Sequence, residues 1–582
     1  MSEARRAVFG RAFARDLWRL VRIYWTSRAA RWGALLLAGA VGLELATVFG
    51  TVLLSDGQRR IFDALGDRAP GDFAKGLTFF FGAALLTLFA STFRIYLRQR
   101  LEIHWREFLT ADYVQRWVGP QAYWQAELHE GNIDNPDQRI SEDIRDFVAS
   151  ALGLSLSLLS AVVTLASFGG ILWQLSGRWP VHISGTEYHI PGLMMWVALL
   201  YAVLAMWLTN LVGRKLVPIN FDRLRCEADF RYGLVRFRDH AEAVLLARGE
   251  RVEQESLGTN FRHVVANYLR LIGGQRDLML LTSGIGHANT IIPLLIAAPA
   301  FFAGHLTLGM VAQVRVAYAE VSGALTWFVN AYQEIARWRA NIQRLTSFSE
   351  AMATTAEEID PRRAGLRITP AMDSVLRLTD VRLDAPGGRI LLSGASGTIN
   401  AGERVAILGS AGAGKTTLFR AIAGMWPFGA GQIEVPSAAR MLFIPQRAYL
   451  PIGTLRAAVA YPSPPADFPL ERIGEVLALL DLEHLVPLLD ERAHWEQRLS
   501  GAEQQRLAIA RVFVQRPDWL FLDEVTSALD GASEKHVYEL LAERLPNATV
   551  VAVAQRPITL RHFPRRWFLS PVDHGPATLQ AQ

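Results

Sequence analysis

The sequence predicts a membrane-embedded, all-α six-helix domain fused to an α/β domain built around a phosphate-binding loop. Three observations carry that prediction. Long apolar stretches fill the first 332 residues, arginines are distributed unevenly between those stretches, and a glycine-rich strand–loop–helix pattern opens the remainder. A chain of 582 residues is too long for one compact core. Hydrophobic residues make up 51% of it, and its mean hydropathy is +0.17, high for a soluble protein.

A membrane-crossing helix needs about 20 mostly apolar residues. Six stretches qualify as expectations: 32–54, 77–97, 151–175, 191–212, 278–303 and 308–332. The fifth contains Pro293 and Pro299, which a buried span tolerates when neighbours re-satisfy the backbone. Arg315 and Glu320 make the sixth the least apolar. Segments 98–150 and 213–277 are arginine-rich, whereas 176–190 holds only Arg178 and 304–307 no Lys or Arg. Cytoplasmic loops retain positive charge, so both long segments, both termini and the C-terminal domain are expected in the cytoplasm. Loop 55–76 fits imperfectly, because Arg59, Arg60, Arg68 and Lys75 accompany its aspartates. The two long segments are expected to continue the spans as helices.

Residues 1–30 lack a signal-peptide core and cleavage site. Arginines there alternate with Val8, Phe9, Phe13, Leu17, Leu20 and Val21, which predicts an amphipathic helix on the inner leaflet. A single cysteine, Cys226, excludes an internal disulfide and a cysteine-rich metal site. The formal net charge of +5 lies between apolar spans, so membrane lipid and not nucleic acid is the expected partner. Only four lysines accompany the many arginines, which points to a GC-rich bacterial genome and hence an inner membrane. The expected division is 1–30 surface helix, 31–348 transmembrane domain, 349–372 linker and 373–582 nucleotide-binding domain.

Residues 404–424, RVAILGSAGAGKTTLFRAIAG, read as strand, loop and helix. Gly409, Ser410, Ala411, Gly412, Ala413, Gly414, Lys415 and Thr416 fit the spacing G-x-x-x-x-G-K-[ST], with Thr417 following. Backbone N–H groups of such a loop, at a helix N-terminus, hold phosphates. Lys415 is expected at the β- and γ-phosphates of ATP and Thr416 on Mg²⁺. Farther on, DWLFLDE (518–524) is an apolar strand ending in two carboxylates. Asp523 is the expected Mg²⁺ ligand and Glu524 the group that polarises the attacking water.

Between these motifs, LSGAEQQRLAIARV (499–512) resembles the signature of the ABC ATPase family. The family order is complete, with Gln446 after MLFIPQ, the signature, the acidic strand, then SALD at 527–530. The resemblance implies head-to-tail pairing, with ATP held between one chain's phosphate loop and the other's Ser500, Gly501, Ala502 and Glu503. It also places Asp530 at the nucleotide site and Gln446 among the Mg²⁺ contacts. A homodimer of exporter-type halves follows. Segments 423–436 and 444–462 resemble the D subfamily, whereas 132–144 and 298–345 resemble the SbmA/BacA-like membrane domain of YddA-like proteins. From these, 134–143 and 238–253 are the expected coupling regions, the first docking near Gln446.

Departures from the family pattern are specific. Ala502 replaces the second signature glycine, no aromatic lies between 372 and 418 to stack on adenine, and Gln555 stands at the switch-histidine position. Arg389 is the candidate substitute for the missing aromatic, and Gln555, still a neutral donor, implies slow hydrolysis. In the spans, Glu44, His287, Asn289, Arg315 and Glu320 are candidates for a polar cavity. The expected function is ATP-driven movement of an amphipathic or hydrophilic solute such as a peptide, cobalamin-like or acyl compound. The alternative is an ATP-gated, channel-like or regulatory protein.

Overall fold

The computed structural model describes residues 11–119, 123–124, 135–177, 181–183, 186–188, 190–358, 365–410, 412–553, 560–571 and 576–581. The chain divides into two compact units, one of residues 1–114 and 135–347, the other of 115–134 and 348–582.

The first unit is helical. Helix α1 (Arg11–Trp25) leads into α2 (Ala30–Gly66) and α3 (Pro70–Val118). A π-helical turn, Arg139–Asp143, opens α4 (Ile144–Ser176), and a short hairpin of β1 (Val181–Ile183) and β2 (Thr186–Tyr188) precedes α5 (Leu193–Gly213). Helices α6 (Leu216–Asp239), α7 (Ala241–Leu246) and α8 (Glu250–Phe302) follow, then α9 (Leu308–Leu325) and α10 (Trp327–Glu358). At 1.5 Å per residue, the 49 residues of α3 and 53 of α8 far exceed the roughly 30 Å of hydrocarbon. The spans therefore run on as helices, as the arginine-rich segments require.

Five helices among the described residues are long and apolar enough to cross a membrane. They are α2, α3, the helix containing α4, α5 and α8. The sixth expected stretch is not one of them. It is broken into α9 and α10 at Thr326, and it carries Arg315 and Glu320. Its physical reason is position: Val314, Ala317, Tyr318 and Val321 are fully buried against α4, α5 and α8, so much of its surface meets protein. The start of α9 also presses on α2. A Cβ on Gly309 would lie 2.1 Å from the Arg59 carbonyl, and the Gly309 N–H donates to Asp63 at 2.9 Å.

Helix α1 docks through its end. Tyr24 is buried, stacks on Trp105 and hydrogen-bonds His104 at 2.8 Å, while Trp18 remains exposed. Val8 and Phe9 lie outside the described residues.

The second unit is a ten-stranded sheet of β3 (Leu366–Ala371), β4 (Val375–Asp384), β5 (Ile390–Asn400), β6 (Arg404–Gly409), β7 (Gly429–Pro436), β8 (Met441–Ile444), β11 (Trp519–Asp523), β12 (Thr549–Val553), β13 (Arg565–Pro571) and β14 (Ala577–Ala581). Two residues each form β9 (Gly453–Thr454) and β10 (Arg492–Ala493), a separate antiparallel pair. Strands β8, β11, β12, β6 and β13 are parallel neighbours. All five residues of β11 and of β12 are buried, the pattern of parallel strands covered on both faces. Covering helices include α11 (Lys415–Ile422), α12 (Leu455–Ala460), α13 (Leu470–Leu479), α14 (Trp495–Arg498), α15 (Gly501–Gln515) and α16 (Gly531–Arg544).

Candidate nucleotide site

Strand β6 ends at Gly409, where the phosphate loop begins. A Cβ at Gly409 would lie 2.4 Å from the Leu569 carbonyl of β13, so only glycine lets the loop leave the sheet here. Gly412 and Gly414 adopt φ of +81° and +87°, a left-handed conformation that glycine reaches without steric cost. The loop delivers the chain into α11 at Lys415. The Lys415 ammonium is folded over the loop, donating to the Gly409 carbonyl at 2.7 Å and to the Ser410 carbonyl at 2.9 Å. Ala411 lies outside the described residues.

Strand β11 carries the acidic pair to the same end of the sheet. Asp523 is 8% exposed, and burial pushes its carboxyl up. A hydrogen bond with Thr416 and the charges of Arg420 and Lys415 oppose that rise, while Glu524 adds to it. Glu524 follows in a left-handed turn, φ +50°. Pairing of Ile444 with Leu522 brings the ends of β8 and β11 level, and the Gln446 amide donates to Glu524 at 3.2 Å. Thr416, Gln446, Asp523 and Glu524 are thus assembled by neighbouring elements. Among the described residues no cluster of three or more His, Cys, Asp or Glu could hold a metal. That donor set fits Mg²⁺, which is commonly held by one or two protein oxygens plus nucleotide phosphates.

The signature lies at the start of α15. Ser500 is its N-cap in a capping box: its hydroxyl accepts from the Glu503 N–H, and the Glu503 carboxylate accepts from the Ser500 N–H at 2.8 Å. The Ser500 hydroxyl and N–H, with His484, hold the Glu503 carboxyl below its ordinary range. Gln505 ties this helix to the SALD segment, donating to Ser527 at 3.0 Å and accepting from the Ala528 N–H at 2.9 Å. Asp530 caps α16, accepting from the Ser533 N–H at 2.7 Å, which lowers its pKa. Ala502 packs against the core beneath α15. Gln555 lies outside the described residues.

Arg389 is exposed in the β4–β5 turn, where its carbonyl accepts from Ala385 at 2.7 Å. The nearest neighbour of a Cβ built at Gly414 is the aliphatic Leu391, at 3.7 Å.

Two groups went unnoticed in the sequence. Buried Arg511 of α15 donates to the carbonyls of Ala458 at 2.9 Å and Tyr449 at 2.6 Å, and burial lowers its pKa to about 10. It fastens the segment after Gln446 to the signature helix. Trp124, in the connection between α3 and α4, donates to the Met425 carbonyl at 3.0 Å, just beyond α11. Of the expected first coupling region, Asp134 is outside the described residues. The rest opens α4, with Asp143 buried between Arg139 at 3.0 Å and Arg344 at 2.6 Å. The second region forms the α6–α7–α8 tip.

The polar candidates of the spans occupy different places. Glu44 on α2 is 1% exposed and pairs at 2.6 Å with Arg94 of α3, a partner the sequence did not single out although it lies in the second apolar stretch. His287 and Asn289 stand on α8, Arg315 and Glu320 on α9. Among the described residues no hydrogen bond or ion pair joins any two of these five.

Residues 20–302 match the family described as ABC transporter transmembrane region 2, and residues 392–527 match the ABC transporter family. The chain belongs to the ABC transporters, as a half-transporter that couples ATP binding and hydrolysis to membrane transport. An ABC transporter ATP-binding protein of Synechocystis sp. is 36% identical over 82% of this chain and 73% of its own. The inner membrane ABC transporter ATP-binding protein YddA of Escherichia coli is 30% identical, covering 92% of this chain and 94% of its own. ABC transporter D family member 2, chloroplastic, of Arabidopsis thaliana is 29% identical over 89% and 80%. A bacterial Atm1-family ABC exporter with ATP bound shares the fold, with a TM-score of 0.69 at 18% identity over 92% of this chain and 94% of that one.

Proposed function

We propose that two copies of this chain form a homodimeric transporter in a bacterial inner membrane, moving an amphipathic or hydrophilic solute such as a peptide, cobalamin-like or acyl compound. The carrying observation is that each chain holds one phosphate loop and one signature, on separate elements α11 and α15. Two head-to-tail chains complete two ATP sites. The helices α6 and α8 support the same assembly: Phe221, Tyr232 and Leu269 are exposed on them and Leu246 at their tip is 79% exposed, apolar surface suited to a second copy. The printed name of YddA, an inner membrane protein, supports the membrane assignment, and the arginine-rich segments between the spans favour a cytoplasmic nucleotide domain.

Within each site, Lys415 and the loop N–H groups bind the phosphates of ATP, while Thr416, Gln446 and Asp523 hold Mg²⁺, which supplies charge neutralisation when bound. Glu524 orients and polarises water, Gln555 is the neutral donor that the family resemblance assigns to the switch position, and Ser500 to Glu503 and Asp530 close the site from the other chain. Vesicle uptake with cobalamin, a proline-rich peptide and an acyl-CoA, with and without ATP, tests the reading. ATP-dependent uptake of one of these that is abolished by Glu524→Gln supports pumping. Uptake that survives this substitution indicates ATP-gated passage instead.

A further inference from the structure

The signature serine is engaged within its own chain. Glu503 stands in the first turn of α15, and its Oε2 accepts from the Ser500 N–H at 2.8 Å and from the Ser500 hydroxyl at 2.7 Å. Charge fixes the direction of the second bond. The Ser500 contacts and His484 hold the Glu503 carboxyl below its ordinary range, so at neutral pH it has no proton to give and the hydroxyl donates. Oε1 of the same carboxylate lies 3.0 Å from Nε2 of His484, which stands on a 3₁₀ turn, Glu483–Leu488. A carboxylate only accepts, so Nε2 carries the hydrogen. The His484 side chain is 56% exposed and that of Glu503 29%, which leaves the imidazole open to protons from solvent. A hydroxyl has one proton, and one given to Glu503 is not available to a phosphate across a dimer interface.

We propose that His484 is a positioning residue for the signature, whose protonation draws on the Glu503 carboxylate and frees the Ser500 hydroxyl proton for the γ-phosphate held by the other chain. The proposal rests on the ATP-site reading above. Neutral His484 donates an ordinary hydrogen bond to Oε1. The imidazolium donates a charge-assisted one, roughly twice as strong, which leaves Oε2 the weaker acceptor for Ser500. Imidazole is the side chain that ordinarily changes charge near neutral pH, so the site closes on ATP more readily at the acid side of neutrality. Charged groups on the surrounding elements are placed otherwise. Arg506 of α15 pairs with Asp481 at 3.3 Å, and Arg498 pairs with Glu491. Asp530 and His536 of α16 bond the Ser533 N–H and the Leu479 carbonyl, and Arg472 of α13 donates to the Val514 carbonyl. Glu471 and Glu475 of α13 and Glu483 are exposed.

The test uses full-length protein in lipid nanodiscs and ATPase rates from about pH 6 to about pH 8, with half-saturating ATP separated from the maximal rate. In the wild type, half-saturating ATP is expected to rise about two- to threefold across that window, the size of an exposed ion-pair contribution. His484→Gln, a neutral donor throughout, should stay at the wild-type value of the alkaline end. His484→Lys, charged throughout, should stay near the value of the acid end. The terminal phosphate of ATP titrates alike for all three proteins, so the difference between them is the readout. A histidine that merely packs would change thermal stability and leave the pH step in His484→Gln. An equal step in wild type and His484→Gln, or a step confined to the maximal rate, overturns the proposal. Ser500→Ala should raise half-saturating ATP and lose the step, and a step that persists in it also overturns the proposal. Wild-type half-saturation in Ser500→Ala at every pH would instead overturn the reading that the signature closes the ATP site.

Discussion

At the scale of single residues, Gly409 and Asp523 set the shape and the charge of the site. Gly409 has no room for a methyl group against the Leu569 carbonyl. Gly409→Ala is therefore expected to cost on the order of 1–3 kcal/mol of stability, measured as a lowered unfolding midpoint of the detergent-purified protein, together with weakened nucleotide binding. Asp523 offers a pH test. Burial raises its pKa, so the folded domain binds that proton more tightly than the unfolded chain does, and acidification costs no stability through this group. What acidification removes is the carboxylate that a cation needs. Mg²⁺-dependent nucleotide binding should consequently weaken, as pH falls, before exposed aspartates titrate. Asp523→Asn should lack that pH step. Glu503 runs the other way: its lowered pKa means that its capping contribution is present at neutral pH and lost on acidification.

At the scale of elements, tethers and ion pairs decide what moves together. Removing Arg511 leaves the Ala458 and Tyr449 carbonyls without their buried donor. Arg511→Met should destabilise the protein by about 1–3 kcal/mol and slow ATP hydrolysis, because the segment after Gln446 is no longer fastened to α15. The Glu44–Arg94 pair joins α2 to α3, and Arg94→Leu strands a buried carboxylate at a cost of about 3–5 kcal/mol. The double variant Glu44→Leu/Arg94→Leu should recover most of that loss in a thermal-unfolding assay. These elements also show what the sequence could and could not reveal. The phosphate loop and the acidic strand were legible because each motif is contiguous and its chemistry requires those residue types. Apolar stretches were legible because a bilayer demands about 20 such residues in a row. Arg94 pairs with a residue 50 positions away, and Trp124 bonds a carbonyl 301 positions on, so no local pattern announces either. The sixth stretch reads as weakly apolar because α9 is packed on other helices, and burial in protein relaxes the demand for apolar side chains.

At the scale of the whole molecule, the account is of two chains sharing nucleotide. The exposed Leu245 and Leu246 of α7 terminate a pair of long helices, and Leu246→Asp is expected to reduce transport more than nucleotide binding. If the family resemblance places a switch histidine at position 555, Gln555→His should raise the ATPase rate. Equal rates in the two proteins would contradict the expectation that Gln555 slows hydrolysis. The most direct test of shared sites is complementation between two inactive chains, Lys415→Ala and Ser500→Arg. A mixed pair retains one intact site only if the phosphate loop of one chain meets the signature of the other. Co-reconstituting the two variants in equal amounts should restore about a quarter of wild-type ATPase activity, since half the pairs are mixed and each has one working site. No recovery from two chains shown to associate would contradict the account.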